Sequence, residues 1–204
     1  MQLDFSEFSS SERYHLMTQT IIPRPIAWAL TDSEKGSYNL APFSYFTAVS
    51  SEPALLMLSV GKKSNGDNKD TLTNILNNKK MVIHIASVEQ AELVTQTAKT
   101  LAHGESELTD TGLTTTVFEH FSLPRLSDCE LAFGCELYET KQLGDAQQTL
   151  IFVQVKQLYI NDRVVSKDIN NRLSIDATKV APLARLGGGE YASIAKPFAL
   201  QRPS

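Results

Sequence analysis

Short apolar stretches separated by turn-forming residues dominate the pattern of this chain. Residues 54–60 and 81–86 are apolar runs of strand length, with Pro, Gly, Ser or Lys residues close by. The pattern predicts strands over residues 21–31, 38–50, 54–60, 81–86, 126–140 and 149–160. Connecting segments that carry turn-forming residues are 32–37, 51–53 and 141–146.

A smaller number of segments have helical spacing of their apolar residues. Four helices are predicted. The first follows a cap at residues 9–12 and reaches Met17, and the second has Asp70 as its cap and runs through Leu76. The third spans residues 89–100, and the fourth lies near residues 180–186. Residues 61–68 and 102–112 are predicted loops. Strands outnumber helices, and short turns join several of them. The pattern therefore predicts a mainly β (α+β) fold, an antiparallel barrel with peripheral helices, and argues against a doubly wound parallel sheet.

Proline marks two of the predicted strands as unusual. Pro23 and Pro25 begin the segment 21–31, and Pro42 interrupts the segment 38–50. Proline has no N–H to give to a strand ladder, so it is confined to edges, strand starts and bulges. We therefore expect the segment 21–31 to start at a sheet edge or a bulge, and Pro42 to keep its part of the segment 38–50 out of a regular ladder.

Composition narrows the class of protein. The chain has 204 residues, of which 42% are apolar and 21% charged, and we expect residues 1–204 to form one domain. A net charge of −4 argues against nucleic-acid binding over the whole surface. No apolar run is long enough to cross a membrane, and the acidic first residues lack the features of a signal peptide. We place the protein in the cytoplasm.

The cysteines and histidines predict no metal site. Cys129 and Cys135 are too few and wrongly spaced for zinc, and we expect buried, reduced thiols. The four histidines are scattered; His84 falls in an apolar strand as an expected core residue, while His103 lies in a polar loop from which it could approach a ligand.

The segment 39–46 carries the first half of a candidate ligand site. It reads Asn39-Leu40-Ala41-Pro42-Phe43-Ser44-Tyr45-Phe46. Small Ala41 permits close backbone approach, Pro42 frees neighbouring backbone groups from a regular ladder, and Ser44 can donate to a ring atom or to a phosphate. Taken alone, the run also suits a buried edge strand that ends in an aromatic cluster.

The second half of the candidate site is the predicted start of a helix at residues 69–74. Helix N-termini attract phosphate, to which Lys69 adds a charge and Thr71 a hydroxyl. Asp70 is expected to be the cap or a partner for Lys69. Asn74, one turn later, either reaches the same ligand or braces the loop, and Ser59 and Gly61 are weaker candidates. Together the two segments suit a flat heteroaromatic ring that carries a phosphate.

Several short motifs, in order, resemble a known family. They are Pro23-Arg24-Pro25-Ile26-Ala27, the segment 39–46, Pro53 before an apolar strand, Lys69-Asp70-Thr71 with Asn74, and Arg185-Leu186-Gly187-Gly188-Gly189-Glu190-Tyr191. Over nearly its whole length the chain resembles the flavin-reductase-like family of FMN-binding split barrels, in the branch with flavoredoxin-type proteins. The resemblance implies a split β-barrel and a homodimer with FMN near the subunit interface. The expected FMN-binding residues are Asn39, Ala41, Pro42, Phe43, Ser44, Ser59, Gly61, Lys69, Asp70, Thr71 and Asn74.

One departure from the family pattern bears on the electron donor. Related short-chain flavin reductases often carry Gly-Asp-His in a nicotinamide-binding region, and here Ala146 follows Gly144-Asp145. Three functions therefore stay open: an FMN-dependent oxidoreductase using NAD(P)H or a reduced carrier, an electron-transfer flavoprotein without a nicotinamide site, and a ligand-binding module on the same fold.

Other motifs receive a structural interpretation. Residues 61–64 lack the earlier glycine of a phosphate-binding loop, because Leu56 occupies its place. Residues 187–189 follow a helix-like segment and are expected to be a turn that folds Glu190 and Tyr191 back over a ligand or a partner subunit. Trp28 is an expected core residue, with stacking near a flavin as the alternative.

Overall fold

Strands make up most of the regular structure. The computed structural model describes residues 1–33, 36–102, 104–145, 147–201 and 203. Predictions that involve Glu34 and Lys35, His103 or Ala146 fall outside the described residues. The helices are α1 (Ser10–Thr20), α2 (Asp70–Asn78), α3 (Ala91–Gln96), α4 (Glu107–Thr111) and α5 (Ala177–Val180), with 3₁₀ turns at Phe5–Glu7, Val88–Gln90 and Asp162–Val164.

The strands follow in chain order. They are β1 (Arg24–Pro25), β2 (Ala27–Asp32), β3 (Tyr38–Phe43), β4 (Phe46–Ser51), β5 (Ala54–Val60), β6 (Lys80–Ile85), β7 (Thr115–Thr116), β8 (Arg125–Leu126), β9 (Leu131–Leu143), β10 (Gln148–Ile160), β11 (Val165–Lys167), β12 (Leu173–Ile175), β13 (Ala184–Arg185) and β14 (Tyr191–Ala192).

A seven-stranded antiparallel sheet organises the chain in the order β3-β2-β6-β9-β10-β5-β4. Strands β3 and β4 lie at its opposite edges, yet Ser44 and Tyr45 alone separate them in sequence. The sheet must therefore curl until its edges meet, which makes an open barrel. The Ser59 N–H donates to the Tyr45 carbonyl at 2.9 Å and joins β5 to this connection.

The central strands of the sheet contribute to a core cluster on each face, which explains why some of them read as continuous apolar runs. Trp28 and Leu30 face one core cluster, whereas Ala27 and Ala29 face the other. Helix α2 covers the second cluster with Leu72 and Ile75. Residues of α3 and of the segment 118–126 cover the first.

A glycine in β9 permits one close packing contact. A Cβ placed on Gly134 would lie 2.9 Å from Cγ of Phe121 and 3.2 Å from the Phe118 ring. The two rings pack together against the sheet at this point, with centroids 5.7 Å apart. Any side chain at position 134 would displace them.

Several predicted boundaries are wrong. Residues 102–112 include helix α4, and the helix predicted over 89–100 is limited to a 3₁₀ turn and α3. The helix near 180–186 ends at Val180, after which Ala184 and Arg185 pair with β1 and β14 as a strand. The segment 38–50 divides into β3 and β4. No helix in the described part of the chain is long and apolar enough to span a membrane.

Candidate functional site

A cleft of 270 Å³ lies beside the edge strand β3. Its lining comes from β3, the loop before α2, the start of α2, the segment after α3, and α4: Asn39, Ala41, Pro42, Lys62, Lys63, Ser64, Lys69, Asp70, Thr71, Thr97, Ala98, Lys99, Thr100, Leu101 and Glu107. The two halves of the predicted site are therefore neighbours in space.

The outer edge of β3 offers backbone groups to this cleft. The Leu40 N–H donates to Oε2 of Glu107 at 2.8 Å, and the Tyr38 carbonyl accepts from the Ser106 hydroxyl at 2.5 Å. Alternate residues of a strand share an edge, so Pro42 presents its carbonyl on the same side. Pro42 has no N–H to leave unpaired there, and among the described residues no donor outside the strand ladders reaches its carbonyl.

Lysines line much of this cleft: Lys62, Lys63 and Lys69 come from the loop before α2, and Lys99 comes from the segment after α3. Lys62 Nζ donates to Oδ1 of Asn68 at 2.6 Å, and Lys63 forms an ion pair with Asp70 at 2.9 Å. Lys69 has no carboxylate partner among the described residues, and its Nζ lies 5.6 Å from the centre of the Phe43 ring. Lys69 stays open to solvent on one side, while protein atoms around its ammonium lower its pKa.

The start of α2 differs from the prediction in one respect. Lys69, not Asp70, occupies the N-cap position, and no side chain caps the helix. Asp70 begins the helix and pairs with Lys63 rather than with Lys69. The buried Thr71 hydroxyl accepts from Nδ2 of Asn39 at 3.0 Å, which leaves its own hydrogen for another acceptor. An uncapped helix start therefore opens toward the lysines.

Glu107 is the acidic residue of this cleft that lies deepest. It is 5% exposed, and burial is the main reason that its pKa is raised. The nearby charge of Asp70 adds to this effect, whereas the bond from Leu40 opposes it. Sequence reasoning missed Glu107 because it treated residues 102–112 as an irregular loop.

The segment after α3 forms the facing wall. Trp28 is fully buried, and its Nε1 donates to Oγ1 of Thr97 at 2.8 Å. The core role of Trp28 is confirmed. Its bond holds Thr97, the first residue of the facing wall, in place. The small side chain of Ala98 keeps this wall close to Pro42. No sequence signal marked residues 97–101, because their role depends on where α3 ends.

A second cleft of 330 Å³ adjoins the first and shares Pro42 and Ala98 with it. Its other lining residues are Tyr14, Ile26, Ser44, Val94, Thr95, Arg185, Gly189 and Tyr191. The turn at residues 187–189 brings Tyr191 back beside Arg185, as the glycine run predicted. Glu190 is exposed in that turn.

The predicted ligand residues divide into those that line the first cleft, one that lines the second, and those that line neither. Those that line the first cleft are Asn39, Ala41, Pro42, Lys69, Asp70 and Thr71, whereas Ser44 lines the second. Phe43 is buried beneath Lys69. Asn74 is buried and donates to Oγ1 of Thr31 at 3.1 Å, so it braces α2 against β2. Ser59 and Gly61 lie beside the Gln148 side chain at the end of β5 and are not among the residues that line the first cleft.

No group of metal-ligating side chains occurs among the described residues. Both cysteines are buried free thiols, as predicted. His84 is a satisfied core residue: it accepts from the Leu126 N–H at Nε2 and donates from Nδ1 to the Trp28 carbonyl, 2.9 and 3.1 Å away. Burial lowers its pKa from 6.5 to about 4, so it is neutral.

The donor set fits a flat ring with a phosphate tail. The unpaired Lys69, the Thr71 hydroxyl and the start of α2 supply positive charge and hydrogen-bond donors. The small residues Ala41, Pro42 and Ala98 line the same cleft. Asp70 is compensated by Lys63, so it opposes an anion less than its charge suggests.

Comparison with known proteins identifies the relatives of this chain. A family model described as the flavin reductase like domain matches residues 17–174. An uncharacterized protein, YwrF, of Bacillus subtilis (strain 168) is 33% identical over 203 residues, which cover 97% of each chain.

Solved structures agree with the family match. Nitrilotriacetate monooxygenase component B from Bacillus cereus superimposes with a TM-score of 0.89 at 29% identity, over 98% of each chain. The 2-nitrobenzoate 2-nitroreductase NbaA of Pseudomonas fluorescens superimposes with a TM-score of 0.87 at 25% identity, over 100% of this chain and 96% of that one. The predicted antiparallel split barrel is confirmed.

Proposed function

The chain belongs to the family of flavin reductase like domains, and from that premise we propose that it is an FMN-binding oxidoreductase. It passes electrons from NAD(P)H or a reduced carrier through bound FMN to an acceptor. The observation that carries this proposal is the first cleft, where an unpaired lysine and an uncapped helix start face a strand edge with a free carbonyl.

The phosphate end of FMN is assigned to α2 and the loop before it. Lys69 contributes charge, Thr71 a hydroxyl hydrogen, and the backbone N–H groups at the helix start further donors. Ser64 lies on the same side of the cleft. Asn39 orients the Thr71 hydroxyl through their 3.0 Å bond, so it acts as a positioning residue.

The ring is assigned to the space between β3 and residues 97–98. Ala41 and Ala98 let backbone approach the ring closely, and the Pro42 carbonyl is placed to accept from a ring N–H. When bound, FMN supplies the redox chemistry, and the protein orients it and limits access of water. The buried Trp28 anchors the facing wall of this region through its bond to Thr97.

The homodimer and the cytoplasmic location expected from the sequence stay part of the proposal, as does a single domain over residues 1–204. Apolar side chains on β4 and β9 support an interface: Val49 is 45%, Tyr138 54% and Leu143 43% exposed. Strand β4 is also an edge of the main sheet.

The electron donor distinguishes two forms of this proposal. Gly144 and Asp145 lie exposed at the tip of the β9–β10 hairpin, and the sequence has no histidine after them. Mixing FMN-loaded protein with NADH and with NADPH without oxygen separates the forms. Prompt bleaching of the flavin supports the NAD(P)H-dependent oxidoreductase, whereas slow bleaching with both supports an electron-transfer flavoprotein served by another carrier.

A ligand-binding module on the same fold is the remaining alternative. It predicts a colourless protein that does not take up added FMN. The donor set at the start of α2 argues against it, because an unpaired lysine and an uncapped helix start have no other assigned partner among the described residues.

A further inference from the structure

The second cleft contains a guanidinium that no acidic residue compensates. Arg185 lies at the end of β13, and no acidic side chain is among the described residues that line this cleft. By contrast, Arg163 and Arg172 form ion pairs with Glu130 and Asp168. The Arg185 charge is therefore available to a ligand.

Local structure fixes the position of this guanidinium. Arg185 pairs with Tyr191 across the short β13–β14 hairpin, and its Cζ lies 4.6 Å from the centre of the Tyr191 ring. Tyr191 is held in turn by a 2.9 Å bond between its hydroxyl and Oγ1 of Thr95. Among the described residues, the Gly188 carbonyl is the one acceptor of an Arg185 hydrogen bond. Most of its five N–H donors are therefore free.

A second, buried guanidinium strengthens the positive potential beside Ser44. Arg24 is 5% exposed and donates to the carbonyls of Thr18, Ile21 and Leu186 at 2.6–2.8 Å. Its Nε lies 3.4 Å from the Ser44 hydroxyl oxygen. These carbonyls leave Arg24 structural, but its charge favours an anion near Ser44.

The rest of the second cleft is aromatic and apolar. Tyr14, Ile26, Val94 and Tyr191 line it, and Pro42 separates it from the region assigned to the flavin ring. A ligand here would combine a flat apolar body with an anionic group and would lie beside the ring. A carboxylate matches the planar fork of arginine, which can hold both of its oxygens.

We propose that the second cleft binds a small aromatic carboxylate beside the bound flavin, with Arg185 and Ser44 holding the carboxylate and Tyr14 and Tyr191 contacting the ring. This inference rests on the proposed function, because the cleft gains its chemical role from FMN in the adjoining one. Residues of both clefts meet at Pro42 and Ala98.

The test titrates FMN-loaded protein with benzoate, with neutral benzamide of the same shape, and with acetate, which lacks the ring. Perturbation of the flavin spectrum and calorimetry report binding. We expect benzoate to bind at least about tenfold more tightly than benzamide, since a charge-assisted pair is lost with the amide. We also expect benzoate to bind more tightly than acetate, which cannot use the aromatic walls.

Variants separate a binding role of Arg185 from a structural one. Arg185→Gln should reduce the benzoate preference to about twofold or less, and Arg185→Lys, which keeps the charge without the fork, should leave an intermediate preference. Arg172→Gln is the matched control, because Arg172 lies in the β11–β12 hairpin and pairs with Asp168. This variant should keep the wild-type preference.

The outcomes are distinct. Equal binding of benzoate and benzamide, an unchanged preference in Arg185→Gln, or acetate binding as tightly as benzoate would each overturn the aromatic-carboxylate site while leaving FMN binding intact. Failure of the wild-type protein to take up FMN would overturn the proposed function first and this inference with it. If Arg185→Gln does not fold, Arg185→Lys and the three ligands still decide the matter.

Discussion

Replacing Lys69 by methionine tests the phosphate assignment most specifically. Methionine keeps much of the apolar stem but removes the ammonium, which has no carboxylate partner among the described residues. In the proposed complex that charge faces the FMN phosphate. The variant should therefore lose affinity for FMN but not for riboflavin, which has the same ring without phosphate.

The size of the effect follows from the exposure of Lys69. A hydrogen bond to a charged group contributes about 1.5–3 kcal/mol, and solvent contact on one side favours the lower end of that range. A loss of about 1.5 kcal/mol weakens FMN binding roughly tenfold. The loss of the contact with the Phe43 ring should cost the folded protein only about 0.5–1 kcal/mol.

The assay is a fluorescence titration of both flavins against the wild type, Lys69→Met and Lys79→Gln. Lys79 is the matched control, because it lies at the C-terminal end of the same helix and donates to the Leu76 carbonyl. We expect the preference for FMN over riboflavin to fall in Lys69→Met alone. An unchanged preference in that variant, or an equal loss in Lys79→Gln, would refute the assignment of the phosphate to the start of α2.

Further predictions concern the buried groups. The pKa of His84 is lowered from 6.5 to about 4 in the folded protein, so the free energy of unfolding should fall by up to about 3 kcal/mol as the pH drops from 6.5 to 4. Urea unfolding of the wild type and of His84→Gln at several pH values tests this. Equal pH profiles of the two proteins would contradict it. Glu107 should change the stability in the opposite direction, because its pKa is raised in the folded protein: the free energy of unfolding should fall as the pH rises above 4.5. The variant Glu107→Gln does not ionise and should lack this decrease. Burial raises the pKa of Cys129 to about 12 and also raises that of Cys135, so neither thiol should react with a maleimide at pH 8 until the protein unfolds. Rapid labelling of the native protein would instead show that a thiol is accessible. Gly134→Val should destabilise the protein by about 1–3 kcal/mol in thermal or urea unfolding, because the new side chain would overlap the Phe121 ring, and an unchanged stability would show that this ring moves freely.

The elements that sequence reasoning predicted best are the apolar strands. The strand Lys80–Ile85 contributes to both core clusters, and Ala54–Val60 buries Leu56, Leu58 and Val60 in one of them, so their apolar composition alone indicates them. The prediction that Pro42 keeps its segment out of a regular ladder is wrong: Pro42 pairs with Trp28 within β3, which can hold a proline because it is an edge strand. The curl of the sheet could not be read from local pattern, because it depends on Ser44 and Tyr45 joining strands at opposite edges.

The sequence also predicted some residues of the candidate site and missed others. Residues adjacent in sequence, such as Lys69 and Thr71, were identified by their helix start. Glu107 and residues 97–101 were missed, because the length of α3 and the position of α4 bring them to the cleft. Asn74 has the right spacing on α2, but its side chain faces Thr31 in the core. Side-chain direction decided the case of Asn74, and sequence spacing does not determine it.

A visible absorption spectrum decides whether the protein binds FMN. The purified protein is desalted and measured before and after the addition of FMN. We expect a bound flavin with shifted absorption bands that stays with the protein through a second desalting, at about one FMN per chain. A spectrum without flavin bands after that step, with no uptake of added FMN, would contradict it.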